Sequence, residues 1–268
     1  MKRILHLAGA VALVVPLLAL FPATSQAGTC VAADTAQGTA NGSSSSPTIS
    51  TATTGSWPVG DLVLAAVEWH DSPGSGPSPP SGWNTAYPAG VQTAGGGWGT
   101  YSSEVFWHIA AARDTGVTFM LSGSVPWTVI LTSYSGANRS YPFDAVASAG
   151  TSGSINQVAT AEPQDSAAVS KDCSLGYSAM FAEDGDTSGE ASTMPEGDSG
   201  QTAVTSQVSG SEPAGGYVVG SVFVSTQLGA GSTFDMPVFR AIEGSSTDPI
   251  LQNFIWHVGV LAPARRGG

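Results

Sequence analysis

Beyond an apolar N-terminal stretch, hydrophobic and polar positions alternate in short runs, separated by clusters of Gly, Pro, Ser and Asn. Period-two alternation and short apolar runs bounded by turn residues are what half-buried and buried β-strands require. The pattern predicts strands over Thr48–Thr54, Asp61–His70, Gly82–Tyr87, Glu104–Ala111, Val117–Ser122 and Thr128–Ser135. It predicts six more over Asp144–Ala147, Ala167–Ala182, Gln201–Val208, Gly216–Ser225, Thr233–Arg240 and Ile250–Leu261. Pro237 marks the penultimate run as an edge strand or as two pieces, because proline cannot donate to a ladder. Ala159–Val169 is rich in Ala but carries Pro163 and lacks helical spacing, so no helix is expected there. The expectation is all-β: a single antiparallel β-sandwich of jelly-roll type over residues 47–263, with 264–268 as a free tail. Residues 28–46 form an N-terminal segment, small and polar from Gly38 to Ser46, which reads as a linker.

The apolar start is a different kind of signal. Lys2 and Arg3 precede the apolar run Leu7–Phe21, and Ser25-Gln26-Ala27 supplies small residues for a cleavage site. This is the layout of a secretory signal peptide over residues 1–27, cut after Ala27. The run is shorter than the roughly 20 residues needed to span a bilayer. No membrane insertion is expected after cleavage, and the mature chain is expected outside the cell. Two cysteines, Cys30 and Cys173, are then expected to pair as a disulfide.

Charge narrows the partners. Twenty acidic residues face eight basic ones, two of which leave with the signal, and the formal net charge is −12. A phosphate backbone or an anionic membrane surface is held by Lys and Arg, so nucleic acid is not an expected partner. Only 10% of residues are charged, which also argues against a long solvent-exposed helical or coiled-coil protein.

Several blocks recur in a recognisable order. Gly60-Asp61-Leu62-Val63-Leu64-Ala65 is followed by Pro79-Pro80-Ser81-Gly82-Trp83, then Val105-Phe106-Trp107-His108-Ile109-Ala110, Thr118-Phe119 and Ser133-Tyr134-Ser135-Gly136. Trp256–Pro263 closes the series. The order resembles a β-sandwich module of phage tail or fibre proteins and of secreted bacterial proteins. The resemblance implies a jelly-roll-like fold and a surface or attachment role, and it brings no established catalytic residues. Asp61 after Gly60 reads as the cap of a turn into a buried strand.

Three constellations carry candidate chemistry. Every histidine after the signal follows a tryptophan, in Trp69-His70, Trp107-His108 and Trp256-His257. Neighbours on a strand point to opposite faces, so with the tryptophans in the core the histidines would face outward. Glu68 shares a face with His70, and Glu104 with His108. If their strands lay side by side, these residues could bind a metal or supply a general acid and base. Second, Asp184, Asp186, Ser188 and Glu190 alternate in an acidic loop, with Asp198 nearby, as hard oxygen ligands for calcium. Third, Trp57, Tyr87, Trp98 and Tyr101 sit in turn-like contexts, where a ring can stack on a sugar. Gly197-Asp198-Ser199-Gly200 copies a serine-protease tetrapeptide without the upstream histidine context, and reads as a turn.

The leading expectation is a secreted, non-enzymatic attachment module that binds a glycan or cell-surface polymer through Trp98, Tyr101, Trp57 and Tyr87. It needs no cofactor, with calcium at the acidic loop as an accessory. The alternatives are a polysaccharide hydrolase or lyase using Glu68, His70, Glu104 and His108, and a self-associating structural module of a surface array or fibre.

Overall fold

A computed structural model describes residues 30–44, 48–50, 57–70, 77–86, 92–96, 99–111, 114, 116–121, 125–155, 158–161, 166–184, 192–195, 201–208, 217–235, 239–242 and 251–264. No helix occurs among them. The first nine strands are β1 (Ala32–Ser44), β2 (Thr48–Ser50), β3 (Leu62–His70), β4 (Asn84–Thr85), β5 (Gln92–Gly96), β6 (Gly99–Ile109), β7 (Gly116–Thr118), β8 (Val125–Ser135) and β9 (Phe143–Ile155). The rest are β10 (Val158–Ala161), β11 (Ser166–Ala168), β12 (Ser174–Asp184), β13 (Ser192–Pro195), β14 (Gln201–Val208), β15 (Tyr217–Leu228), β16 (Thr233–Asp235), β17 (Phe239–Ile242) and β18 (Leu251–Leu261).

Two antiparallel sheets dominate in a sandwich-like arrangement. The front sheet runs β1-β8-β3-β6-β4, with β5 also on β6, and the back sheet runs β14-β15-β12-β18-β9. Side-chain alternation explains the core between them. Leu62, Leu64 and Ala66 of β3, Val105 of β6 and Ile130 and Tyr134 of β8 meet Tyr177, Ala179 and Phe181 of β12, Val222 of β15 and Ile255 of β18. The opposite face of the front sheet is buried too. Val63, Ala65, Val67 and Trp69 pack with Phe106, Val129 and Leu131 beneath Trp57, Phe119 and Leu121. That is why β3 reads as a continuous apolar run from Leu62 to Val67 instead of an alternating one.

The N-terminal segment departs from the linker expectation. Residues 32–44 form β1, a full edge strand paired with β8 from Ala32↔Ser135 to Ser44↔Val125. Its ladder is made by the backbone, so small polar side chains are no obstacle. Their smallness is required at Gly42, where a Cβ would come 2.9 Å from the Trp127 ring. The predicted run Ala167–Ala182 divides into β11 and β12 around the turn at Lys171–Cys173, and Thr233–Arg240 divides into β16 and β17. Strands β5, β10 and β13 lie where no strand was predicted.

Cys30 and Cys173 form a disulfide, with Cα atoms 4.6 Å apart across a sequence separation of 143. The Val31 amide donates to the Cys173 carbonyl at 3.1 Å. The bridge joins the start of the front sheet's edge strand to the start of the back sheet's central strand. The signal segment lies outside the described residues. No helix among the described residues is long and apolar enough to cross a membrane.

Candidate functional site

The pairing Leu62↔Tyr134 brings the turn before β3 alongside the loop after β8. Together they form a cleft of about 620 Å³ lined by Gly60, Asp61, residues 136–141 and Ala264. The loop is built rigidly. Asn138 is buried, and its Oδ1 accepts from the Ser140 and Tyr141 amides at 3.0 and 3.1 Å. The Asn138 amide donates to the Ala262 carbonyl, and the Ala264 amide to the Gly136 carbonyl, both at 2.8 Å. The chain after β18 therefore braces this loop from below.

Arg139 reaches back across the cleft and its Nε donates to the Gly60 carbonyl at 2.9 Å. Gly60 has φ +92, in the left-handed region, and a Cβ there would lie 1.9 Å from the guanidinium. Glycine is required twice at this position, by the turn and by the arginine lying on it. Beside it, burial pushes the Asp61 carboxyl up to about 6. The Asp34 charge and a hydrogen bond shared with Asp34 add to the rise, and Arg139 opposes it. Asp34 sits where the β1–β8 register shifts between Ala33 and Gln37, and such bulges re-aim side chains. On the rim, Tyr141 is 71% exposed and Val59 66%. These are two of the three exposed large hydrophobic residues among those described; the third is Met120.

The cleft thus offers the Asp61 carboxyl, hydrogen-bonded to Asp34, a guanidinium and an unburied aromatic face. A sugar presents the complementary set: hydroxyls that donate and accept, and a C–H face that stacks on a ring. In the sequence Asp61 reads only as a turn cap, and Asp34, Arg139 and Tyr141 carry no signal. They come from three separate strands' ends, and only the sheet order assembles them.

The other sequence candidates are dispersed. Trp57 is buried, 6.4 Å edge-to-face from Trp83, and belongs to the outer core instead of a ligand surface. Its position before Pro58 looked like an exposed loop, but the outer face of the front sheet needs covering and Trp57 covers it. Tyr101 lies on β6 opposite His70; its side chain is outside the described set, as are Tyr87 and Trp98. Asp184 ends β12, while Asp186, Ser188, Glu190 and Asp198 lie outside the described residues. Among the described residues no group of three or more His, Cys, Asp or Glu is placed to hold a metal ion.

The acid–histidine set does not converge. Glu68 pairs with Ser103 and Glu104 with Val67, so Glu68 faces the space between the sheets and Glu104 faces the outer core. Burial holds the Glu104 carboxyl above its ordinary value, partly offset by a hydrogen bond with Thr85. His70 and His108 sit at opposite ends of the β3–β6 ladder, opposite Tyr101 and Val63. His108 stacks on Trp83 at 5.3 Å. Its ring nitrogens contact the Gly82 carbonyl and the Asp114 carboxylate, each at 2.8 Å. It is a brace for the Pro79–Trp83 turn.

His257 reverses the expected orientation. It is on β18 in the back sheet and points inward, fully buried, with Nε2 2.6 Å from Ser103 Oγ of the front sheet. Trp256 takes the other face. Burial drives the His257 ring down to about 3, so it is neutral at physiological pH. No family model, curated protein or solved structure matches the chain.

Proposed function

We propose that the protein is an exported, non-enzymatic attachment module that binds a glycan in the cleft at the β3–β8 end. The observation that carries this reading is the exposed Tyr141 ring beside Arg139 and the Asp34–Asp61 pair. The same carboxylates argue for binding over hydrolysis. Glycosidase carboxylates stand about 5–9.5 Å apart to admit a sugar or a water between them, whereas Asp34 and Asp61 share a hydrogen bond. The other acid pair, Glu68 and Glu104, is divided by the sheet itself.

Export is supported by the N-terminal signal pattern and by the disulfide. The scaffold we assign is the jelly-roll type, since β1-β8, β8-β3, β3-β6, β12-β18 and β18-β9 join strands far apart in the chain, while β5-β6 and β14-β15 pair chain neighbours. The block order from Gly60 to Gly136 resembles the attachment modules of phage fibres and secreted bacterial proteins, and fits the same role.

A glycan array probed with mature protein tests the reading. Selective binding that disappears in Tyr141→Ala and Arg139→Ala supports it. Binding unchanged in both variants moves the site elsewhere, first to the segment around Trp98. A blank array with a folded protein favours the structural-module alternative.

A further inference from the structure

The interior between the sheets holds a second polar cluster that glycan binding does not use. Glu68 of β3 is 1% exposed, and Ser103 of β6, Thr128 of β8 and His257 of β18 are all at 0%. Glu68 stands directly opposite both hydroxyl residues, paired with Ser103 on one side and Thr128 on the other. Directly opposed side chains share a face with Cβ atoms roughly 4.5–5.5 Å apart, which a glutamate can span. Only one of the two hydroxyls has a base on it: Ser103 Oγ lies 2.6 Å from His257 Nε2. A buried hydroxyl touching a neutral imidazole is the arrangement that activates serine, and the register sets Glu68 directly across from it.

We propose that Glu68 and Ser103 condense into an intramolecular ester that staples β3 to β6. With Glu68 as the protonated acid, His257 takes the Ser103 hydroxyl proton as Oγ attacks the Glu68 carboxyl carbon. The tetrahedral species collapses, the carboxyl C–OH bond breaks, and the departing hydroxyl collects that proton from His257. One C–O bond forms, one C–O bond breaks and one water leaves; no oxidant, reductant or co-reactant is consumed. Esters hydrolyse in bulk water, but groups held together in a fold reach effective molarities on the order of 10⁵–10⁸ M. That is far above the concentration of water, and both Glu68 and Ser103 are closed to solvent, which opposes the reverse step.

Denaturing intact-mass analysis of the full mature chain tests this, without reduction. The proposal expects wild type one water lighter than the disulfide-bonded sequence, Thr128→Val equally one water short, and Ser103→Ala at full mass. Proteolysis of wild type should release one branched peptide joining the segments around Glu68 and Ser103, a readout that stands even if Ser103→Ala does not fold. Wild type at full mass overturns the proposal. So does a water loss that persists in Ser103→Ala, as a succinimide at Asp184-Gly185 would produce, or one that vanishes in Thr128→Val.

Discussion

Two polar clusters lie at opposite ends of β3, and the contrast between them explains how this fold sorts its chemistry. Asp61 immediately precedes the strand and Glu68 nearly ends it, roughly 20 Å away at about 3.3 Å per residue. At the Asp61 end the groups face a cleft: the Asp61 carboxyl, a guanidinium and an exposed ring. At the Glu68 end a carboxyl, two hydroxyls and an imidazole are sealed between the sheets. Burial disfavours charge at both ends, but with opposite sign. It pushes the Asp61 carboxyl up to about 6 and the His257 imidazole down to about 3. Of these two clusters, the cleft opens outward and the interior one is sealed from solvent.

The largest expected effect comes from removing a ring the sequence offered as a ligand contact. Trp57→Ala should lower unfolding free energy by about 3–5 kcal/mol in a urea titration, because Trp57 roofs the outer core. Folded Trp57→Ala protein should still bind ligand, which separates the core from the cleft.

Acid sharpens the contrast between the two ends. His257 has a folded value below its ordinary 6.5, so its contribution is fully present above 6.5 and is lost as pH falls toward 3. The limiting slope is about 1.4 kcal/mol per pH unit, for a total loss of roughly 5 kcal/mol. Asp61 works the other way: its contribution is present below its ordinary 3.8 and is lost as pH rises through about 6. Stability measured between pH 7 and pH 4 should therefore fall on acidification, and His257→Gln should flatten that fall. An unchanged slope in His257→Gln would place the acid sensitivity elsewhere.

At the cleft, Gly60→Ala should cost about 1–3 kcal/mol through backbone strain and displace Arg139, weakening binding and stability together. Tyr141→Ala is the smallest perturbation of the fold. It should change stability by less than about 0.5 kcal/mol while weakening glycan binding roughly tenfold, the scale of one lost ring contact. A Tyr141→Ala protein that unfolds early would mean the ring is structural.

How much of this was legible follows the same division. Strands β3, β8 and β18 could be read because apolar side chains carry their burial. β1 could not, since its pairing rests on backbone hydrogen bonds and on residues small enough to lie under Trp127. The Trp-His pairs were visible, but their direction was not: the sheet a strand joins decides which face is inward. Hence His257 entered the interior while His108 stayed on the outer face. The cleft was the least legible part. Arg139 contacts a residue 79 positions away, and nothing local to either marks the other.

The most direct test is hydrogen–deuterium exchange of the mature protein with and without a glycan selected on the array. Ligand protection confined to residues 58–61 and 136–142 is the predicted result. Protection that leaves both segments unchanged and falls instead on residues 92–101 would contradict the cleft assignment.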